Sequence, residues 1–416
     1  MNGVRLAVAV VDPGAFSPFY DDALCRALAR EGCEVELVTA PFAYHPWPAA
    51  EGYRRRELFP RARAVRPSGG AGAGWLRRRL ARFGRGLAYL ASWRSFEAAL
   101  EEQSAALVHL QWSLVPHWEA YRFARGGAAH LPLVVTVHNA GPRSDDPQPL
   151  GGGERLLRRA RAVVVHSENT REAVAARHPS LASRILVVPP GIAGPSNREL
   201  EGEAGRRRAR QALGIPMETP LALFAGLVRA SKGLDPLLAA FRDVAARRPE
   251  AMLAIAGLPH ASAGDLAARV DRSGLAGRVR LDPAYLPLER FEQYIAAADV
   301  VVLPYLEGSD SAVLGAALGA GRAVVVTRVG GLPEMLGPTY PQELIVAPGD
   351  PAALAAAIDG LLGDRPTAAR IGVDAGADAM RRLSWKTTAR ATADIYRELT
   401  RDRARRHSPV PVTRPA

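Results

Sequence analysis

The chain has 416 residues and a formal net charge of +12. Its length predicts two or three domains, because a single hydrophobic core stops growing near about 250–300 residues. No apolar run approaches the ~20 residues of a membrane span, and the two cysteines, Cys25 and Cys33, match neither metal-site nor redox spacing. The composition therefore favours a globular, cytoplasmic protein of a reducing compartment over a membrane-spanning or disulfide-framed one.

Short apolar runs alternate with helical segments along the first half of the chain. The run RLAVAVV leads into DDALCRALAREG and EVELVTA, and later runs are ALVHLQW, LPLVVTVHNA, RAVVVHS and RILVVPPG. Unalternated runs of Val, Leu and Ile between helices predict parallel strands covered on both faces. The first run is short and closes on Asp12, so we interpret it as a buried strand and not as a signal peptide.

The stretch from 75 to 93 is both basic and amphipathic. Apolar residues recur in it at helical spacing: Leu76, Leu80, Phe83, Leu87 and Leu90. Arginines lie between them: Arg77, Arg78, Arg79 and Arg82. A basic amphipathic helix is typical of proteins that bind an anionic membrane surface. The alternative is that the apolar stripe packs on its own domain. Nucleic-acid binding is disfavoured, because no recognition motif accompanies the charge.

The alternation of strands and helices restarts after residue 219. The segment 195–219 is polar and lacks a strand, so we interpret it as a link between two doubly wound domains. The runs that follow are PLALFAG, AMLAIAG, RVRLDP, ADVVVLPY, RAVVVTRVGG and ELIVAPGD. None of the loops after the strands is a GxGxxG fingerprint or a Walker phosphate loop, which argues against a nicotinamide dehydrogenase and a P-loop ATPase.

A turn with two cations follows the first strand of the second series. It contains Arg229 and Lys232, between Gly226 and Gly233. Lys232 and Lys386 are the only lysines among 54 basic residues, so a retained lysine suggests a place for a compact charge. The pair is suited to clamp a diphosphate, and the glycines allow close backbone approach. The alternative is a solvated turn.

Two further loops in this half have the residues of anion sites. Glu307, Ser309, Asp310 and Ser311 precede the helix-like AVLGAALGA, whose first N–H groups could bind a phosphate or simply be capped. The stretch VGGLPE places Gly330 and its neighbouring glycine before a Pro at a first helical position. Three such loops in one half of the chain predict one phosphate-bearing ligand.

Several stretches, taken in order, resemble retaining GT-B glycosyltransferases of family 4, the group 1 or glycogen-synthase-like enzymes. The donor half is matched by GLVRASKGLDPLLAAF, AAADVVVLPY, DSAVLGAALGAGRAVVVTRVGGLPE and LSWKTTARATADIYREL. The other half is matched by DPGAFSPFYDDALCRALAREGCEVELVT, LVVTVHN and VVVHSENTREAV, followed by ILVVPPGI. The match runs from residue 4 to about residue 400.

The resemblance implies an α/β, GT-B architecture with two Rossmann-like domains facing across a cleft. Residues 1–194, with a crossover helix at about 384–400, would form the acceptor side. Residues 195–383 would bind a nucleotide-sugar, and 401–416 would be a disordered tail. The implied catalytic residues are His138 at the donor sugar and Arg229 and Lys232 at its diphosphate. The implied donor-binding residues are Gly14, Gly226, Glu307, Asp310, Ser311, Ala312, Val313, Gly330 and Glu334.

One pair of residues departs from the family pattern. The family commonly has two glutamates eight positions apart, the second of which holds the ribose. Here Gly308 and Ala316 occupy those positions, and Glu307, Asp310 and Glu334 are the candidates to substitute. His138 has its own alternative, a structural histidine at a strand end.

The predicted reaction needs neither a metal nor another cofactor. Cations stabilise the charge on a departing nucleoside diphosphate, and the nearest candidate for a metal pair, SDD at 144–146, suits a loop better. By resemblance, the acceptor hydroxyl attacks from the front face and the leaving phosphate takes its proton. The expected acceptor is a carbohydrate, a lipid-linked molecule or a small molecule. The alternatives are a non-catalytic nucleotide-sugar-binding or partner protein, and a GT-B sugar-nucleotide epimerase.

Overall fold

The computed structural model describes residues 5–61, 75–139, 153–260 and 262–407; for 75–82 and 402–407 it describes the backbone alone. Within these ranges two sheets form, and every strand pair in both is parallel. The predicted α/β class with two doubly wound sheets is therefore confirmed.

The first sheet has the strand order β3-β2-β1-β4-β5-β6-β7. Its strands are β1 Leu6–Asp12, β2 Cys33–Thr39, β3 Arg54–Glu57, β4 Leu107–Leu110, β5 Leu133–Thr136, β6 Ala162–Val165 and β7 Ile185–Val187. Its helices are α1 Pro18–Arg30, α2 Trp75–Glu102, α3 Pro116–Arg125, α4 Glu154–Arg159 and α5 Glu168–Arg177. β1 lies between β2 and β4 with Val8, Ala9 and Val10 fully buried, which is why its sequence shows no polar alternation.

The second sheet has the order β10-β9-β8-β11-β12-β13. Its strands are β8 Leu221–Ala225, β9 Met252–Ala256, β10 Val279–Asp282, β11 Val300–Leu303, β12 Ala323–Thr327 and β13 Ile345–Val346. The helices of this half are α6 Gly202–Leu213, α7 Leu234–Arg247, α8 Ala263–Arg272, α9 Leu288–Ala297, α10 Ala312–Gly319, α11 Leu332–Leu336, α12 Pro351–Gly363 and α13 Arg365–Arg382. The order reverses between β8 and β11, the kind of position where open α/β sheets bind ligands.

The polar segment 195–219 is not a free link. Its helix α6 has 12 residues, and Ala209, Leu213 and Ile215 belong to the second core. Arg210 is fully buried, and its guanidinium bonds the Asp299 carboxylate (2.8 Å) as well as backbone carbonyls. The segment contains no strand and connects the last strand of the first sheet to the first strand of the second, and its helix packs into the second core.

The last helix, α14 Trp385–His407, packs on the first sheet's half of the molecule. Ala389, Ala393 and Tyr396 belong to the first core, and the Tyr396 hydroxyl lies 2.5 Å from His109 Nδ1. The helix passes its predicted end at about residue 400, so the tail predicted for 401–416 is helical as far as His407. Residues 408–416 lie outside the described residues.

α2 presents a different face to the core from the one that the sequence predicts. Tyr89, Trp93 and Phe96 are buried, whereas Phe83 is 67% and Leu87 53% exposed. The alternative that the stripe packs on its own domain is therefore wrong for Phe83 and Leu87 but holds for Leu90, which is partly buried against the first core. The side chains of Leu76, Leu80 and the four predicted membrane arginines, Arg77, Arg78, Arg79 and Arg82, lie outside the described residues.

None of the helices in the described part of the chain is long and apolar enough to cross a membrane.

Candidate active site

The carboxyl-terminal ends of the two sheets face each other. The Glu334 carboxylate, on α11, accepts hydrogen bonds from the backbone N–H groups of Glu168 (2.7 Å) and Asn169 (2.9 Å) at the start of α5. A second contact joins the loop after β2 to the loop after β10. His45 Nε2 in the first loop lies 3.1 Å from the carbonyl oxygen of Tyr285 in the second. The loops that follow strands in both sheets therefore meet in one cleft.

The loop after β1 is organised by a buried carboxylate. Asp12 accepts hydrogen bonds from the backbone N–H groups of Gly14 (3.1 Å), Phe16 (2.7 Å) and Ser17 (3.2 Å). Burial raises the pKa of Asp12, and burial together with the charge of Asp12 raises the pKa of Asp21 well above its usual value. A Cβ at Gly14 would lie 2.3 Å from the Phe16 ring, so a side chain fits there only if that ring moves.

His138 follows β5 and is held by aromatic rings. Its imidazole stacks on Trp112, with ring centres 4.4 Å apart and planes 10° from parallel. Tyr20, near the start of α1, meets it edge to face at 5.3 Å and also contacts Trp385 of α14 at 5.2 Å. These contacts fix the plane of the imidazole, so its nitrogens point in set directions.

His166 determines which nitrogen of His138 carries the proton. His166 Nδ1 lies 2.8 Å from the Val188 carbonyl, which only accepts, so in the neutral ring Nδ1 donates and Nε2 accepts. His138 Nδ1, 3.3 Å from that Nε2, then donates to it, which leaves His138 Nε2 as an acceptor. This atom is buried and has no hydrogen-bond partner among the described residues. Burial, and then the positive charge that His166 carries when it is protonated, lowers the pKa of His138 well below its usual value.

The turn with two cations is fixed to the loop after β11. Arg229 precedes the 3₁₀ turn Ala230–Lys232, and the Lys232 ammonium lies 3.4 Å from the centre of the Tyr305 ring. Gly233 has φ +70°, and a Cβ there would lie 1.8 Å from the Pro304 carbonyl oxygen, so the turn requires glycine. The position of the Lys232 charge is therefore set by packing.

The N-terminus of α10 lies beside this turn. Ser311 caps the helix, with its hydroxyl accepting from the Leu314 N–H (3.2 Å) and bonded to the Tyr305 hydroxyl (3.0 Å). The N–H groups of Ala312 and Val313 belong to the first turn, where a helix offers no carbonyl partner of its own. Together with Lys232 they make an electropositive end of the cleft.

The VGGLPE loop packs against the residues that lead into α10. Gly330 has φ +52°, and a Cβ there would lie 2.3 Å from the Gly308 carbonyl oxygen. The next residue, Gly331, donates its N–H to the Ser309 carbonyl (2.7 Å). Gly226, with φ +98°, is covered by Val313, whose Cγ2 would lie 3.2 Å from an added Cβ. The predicted glycines Gly226 and Gly330 are thus positions where one loop packs closely against the next.

Asp310 carries a buried carboxylate on the loop between β11 and α10. Both of its oxygens are buried and have no hydrogen-bond partner among the described residues. The pKa of this carboxyl is raised to about 6, chiefly by burial; of the nearby charges, those of His166 and Lys232 lower it and that of Glu334 raises it. His166 belongs to the first sheet and Lys232 to the second, so Asp310 lies between the two halves.

The structure gathers most of the predicted site residues around this cleft, with one exception. Glu334 is predicted to bind the donor, but both of its carboxylate oxygens are bonded to the start of α5. It therefore joins the two halves of the molecule. Glu307 lies on the loop beside the cationic turn, where its backbone N–H donates to the Ser231 carbonyl (3.2 Å).

Four residues that shape the site were not predicted from the sequence. They are Asp12, Tyr20, Trp112 and His166. For Asp12 and His166 the sequence does contain a signal that could have identified them, since each stands at the end of an apolar run. Tyr20 and Trp112 lie in a helix and a loop where aromatic residues are usually part of the core, so nothing in the pattern distinguished them.

In the described part of the chain, no group of His, Cys, Asp and Glu side chains is arranged to hold a metal ion. The SDD sequence at 144–146 lies outside the described residues.

Comparisons with protein families match both halves of the chain. The model for glycosyl transferases group 1 matches residues 219–364, and that for a glycosyl transferase 4-like domain matches 22–191. A D-inositol 3-phosphate glycosyltransferase of Xylanimonas cellulosilytica is 29% identical over 405 residues, which cover 92% of this chain and 91% of that protein. One of Streptomyces scabiei is 30% identical over 322 residues, covering 72% and 69% respectively.

Solved structures with the same fold cover nearly the whole chain. Sucrose-phosphate synthase of Thermosynechococcus elongatus has a TM-score of 0.70 at 22% identity, and covers 96% of this chain and 100% of its own. HepE of Anabaena, in complex with UDP-glucose, has a TM-score of 0.66 at 16% identity, with coverages of 95% and 100%. The likeness extends to the glycosyltransferase WaaG, with a TM-score of 0.63 at 16% identity and coverages of 94% and 99%. The two facing sheets thus have the GT-B arrangement.

Proposed function

Since the chain belongs to the glycosyl transferases group 1 family and is a glycosyltransferase with a GT-B fold, we propose that it transfers a sugar from a nucleotide-sugar to an acceptor hydroxyl, with retention of anomeric configuration. The observation that carries this proposal is the polarity of the cleft. Lys232 and the first-turn N–H groups of α10 form a cationic end, and the buried acceptor atom His138 Nε2 lies on the opposite wall.

The proposed reaction uses this polarity. The bond between the anomeric carbon and the diphosphate oxygen breaks, while Arg229, Lys232 and the N–H groups of Ala312 and Val313 stabilise the negative charge that develops on the leaving group. The acceptor oxygen forms the new bond on the same face of the sugar, and its proton passes to the leaving phosphate oxygen. His138 Nε2 accepts a hydrogen bond from a sugar hydroxyl and so orients the ring.

The comparisons suggest which donors and acceptors to test first. Related structures have been solved with UDP, with UDP-glucose and, for starch synthase IV of Arabidopsis thaliana, with ADP. The curated relatives that span most of this chain are named D-inositol 3-phosphate glycosyltransferases. We therefore propose UDP- and ADP-sugars as donors and a phosphorylated cyclitol as the first acceptor to test.

A nucleotide-sugar panel tests this function. We expect at least one nucleoside diphosphate to raise the melting temperature, since a ligand at 100 times its Kd adds about 2.7 kcal/mol to the free energy of unfolding. The matching nucleotide-sugar should release its nucleoside diphosphate slowly to water and faster with an acceptor. Recovery of an epimerised nucleotide-sugar, with no transfer to any acceptor, would favour the epimerase alternative.

We also propose that the protein works at the cytoplasmic face of an anionic membrane. The basis of this membrane proposal is α2, where Phe83 and Leu87 are exposed large apolar side chains. In the sequence these two residues follow a stretch with four arginines: Arg77, Arg78, Arg79 and Arg82. Exposed apolar residues beside a basic cluster match a surface of anionic headgroups over acyl chains.

A further inference from the structure

A buried carboxylate on α3 holds the loop that joins β4 to this helix. Glu119 is fully buried, and its carboxylate accepts hydrogen bonds from the backbone N–H groups of Leu114 (2.8 Å) and Val115 (3.0 Å). It also accepts from two hydroxyl groups, that of Ser113 in the same loop and that of Tyr89 on α2 (2.6 Å). Since a carboxylate has about four acceptor positions, these donors satisfy it, and the charge and the loop stabilise each other.

Two features make the backbone of this loop depend on the carboxylate. Leu114 is 37% and Val115 39% exposed, so their apolar side chains bury little surface that would fix the loop. Val115 is also the N-cap residue of α3, and a valine has no side-chain oxygen that could accept a helix N–H. Glu119 instead reaches back to the N–H of the N-cap residue, as the acidic residue of a capping box does.

The same loop contains the ring that stacks on His138. Trp112 directly precedes Ser113, and its ring centre lies 4.4 Å from that of the imidazole. The indole Nε1–H of Trp112 donates to the Ser17 hydroxyl (2.7 Å), and the ring contacts Phe16 at 5.5 Å. The loop after β4 is thus joined both to His138 and to the loop after β1, and a displacement of its backbone would move the indole that fixes the imidazole plane.

We infer that Glu119 is a positioning residue for sugar transfer, which holds the loop after β4 so that Trp112 keeps the imidazole of His138 in one plane. Its carboxylate is buried and engaged by its own donors, so it acts through Trp112 and not by contact with a substrate. The role in transfer rests on the proposed function, in which His138 orients the sugar. The position of Trp112, however, can be measured without any substrate.

Two substitutions separate the acceptor oxygens of Glu119 from the size of its side chain. Glu119→Met keeps the length and removes the acceptor, whereas Glu119→Gln keeps one oxygen for the two backbone N–H groups and offers an amide to the Ser113 hydroxyl, which can accept. Glu36→Met is the matched control, because Glu36 of β2 is also a buried carboxylate of the first half of the molecule, where Arg56 donates to it (2.7 Å).

The first measurement uses the indole N–H signals in heteronuclear NMR spectra of the unliganded protein. The signal of Trp112 is assigned by its loss in Trp112→Phe. We expect it to shift or broaden in Glu119→Met and to stay at the position of the parent in Glu119→Gln and Glu36→Met. An unchanged Trp112 signal in Glu119→Met, or an equal change in Glu36→Met, would overturn the inference. If Glu119→Met does not fold, Glu119→Asp gives the same test, because its shorter side chain cannot reach the loop in the same way.

The second measurement is the kcat/KM of transfer from UDP-glucose or ADP-glucose to D-inositol 3-phosphate, with the affinity for UDP and ADP measured by calorimetry. Glu119→Met should lower kcat/KM by about 10-fold or more, because small displacements of groups that orient a substrate are costly. The affinity for the nucleoside diphosphate should not change, since Lys232 and the N-terminus of α10 belong to the other half. Glu119→Gln should restore most of the rate.

The remaining outcomes are distinguishable. Unchanged transfer in Glu119→Met, or an equal loss of nucleoside diphosphate affinity, would overturn the positioning role while the proposed function stands. A parent protein that neither binds these nucleotides nor transfers sugar would remove the proposed function and with it the role in transfer, whereas the indole spectra alone decide whether Glu119 holds Trp112. Glu36→Met should lower the melting temperature without a change in kcat/KM, and a loss of transfer equal to that of Glu119→Met would reduce the effect to lost stability and refute the assignment.

Discussion

Lys232 shows how a single residue can acquire a role from its surroundings. In a chain with 54 basic residues it is one of two lysines, and its ammonium is held 3.4 Å from the centre of the Tyr305 ring by a turn that requires glycine at position 233. The ring face attracts a cation and limits its movement. A preorganised charge of this kind loses little entropy when a diphosphate arrives.

We expect Lys232→Ala to weaken nucleoside diphosphate binding by about 10- to 100-fold, because a hydrogen bond to a charged group contributes about 1.5–3 kcal/mol. The exposed Arg242 on α7 is the matched control, since Arg242→Ala removes one positive charge from the same half of the molecule. Calorimetric titration with UDP or ADP measures both variants. Unchanged affinity in Lys232→Ala would exclude it from the diphosphate clamp.

Asp310 should make the unliganded protein less stable at neutral pH. Its pKa is raised to about 6 by burial, above the usual 3.8, so the folded state holds this proton more tightly than the unfolded state does. The free energy of unfolding therefore falls as the pH rises from about 4 to 6, by up to about 3 kcal/mol at 1.36 kcal/mol per pKa unit.

Asp310→Asn removes that charge at every pH. We expect this variant to melt at a higher temperature than the parent at pH 7.5, and the two melting temperatures to converge as the pH approaches 4. Thermal unfolding, followed by circular dichroism, measures the difference in melting temperature between the variant and the parent at each pH. Other groups titrate alike in both proteins, so their contribution cancels in this difference. Equal melting temperatures at pH 7.5 would show that the Asp310 carboxylate is not strained in the unliganded cleft.

At the scale of elements, α2 combines a part that packs on the core and a part that faces solvent along one helix. Its C-terminal part is a core helix, in which Trp93 is 2% and Phe96 0% exposed. Nearer its N-terminus, Phe83 and Leu87 face solvent. One helix can therefore pack on the sheet at one end and offer apolar side chains to another surface at the other.

We expect the protein to sediment with anionic vesicles and to detach as salt rises, because surface charges are screened over about 8 Å at physiological ionic strength. The double change Phe83→Ser, Leu87→Ser should weaken this binding and leave the melting temperature nearly unchanged. We expect the same result from a variant in which four arginines are changed together to Gln: Arg77, Arg78, Arg79 and Arg82. The buried Trp93 provides the contrast: Trp93→Ala should lower stability by about 3–5 kcal/mol. No sedimentation at low salt would contradict the membrane proposal.

At the scale of the whole molecule, function depends on two sheets held together. Glu334 joins α11 to the start of α5, and His45 joins the loop after β2 to Tyr285. These contacts bring the cationic end of one half opposite His138 of the other. In the proposed mechanism, the charge that stabilises the leaving group is therefore supplied by the protein.

This arrangement predicts that transfer needs no metal. Activity should persist after exhaustive dialysis against EDTA, since Arg229, Lys232 and the N-terminus of α10 do the electrostatic work proposed for the leaving group. Initial rates of sugar transfer before and after chelation measure the dependence on metal. Re-addition of magnesium or manganese to the same protein is the control. A rate that falls on chelation and returns with either ion would refute the metal-free mechanism.

The sequence by itself determined the class of fold and the order of the functional loops. Unalternated apolar runs such as that of β1, separated by helical segments, predict parallel strands covered on both faces, and in parallel sheets the loops after the strands form the ligand edge. The turn with Arg229 and Lys232 and the cap at Ser311 follow from local spacing, so they could be predicted. The polar composition of α6 concealed its place in the second core, because its buried Arg210 is hydrogen-bonded both by nearby carbonyls such as that of Met217 and by the distant Asp299.

The tertiary structure decided what each polar side chain in the cleft faces. Glu334 bonds an N–H group 166 residues away, the acceptor nitrogen of a neutral His138 is fixed by His166, and Asp310 is buried near Ser167 of the other half. These properties depend on desolvation and on partners brought in from the other half of the chain. Local sequence sets the position of a residue on an element, but its charge state and hydrogen bonds follow from the packing of the two sheets against each other.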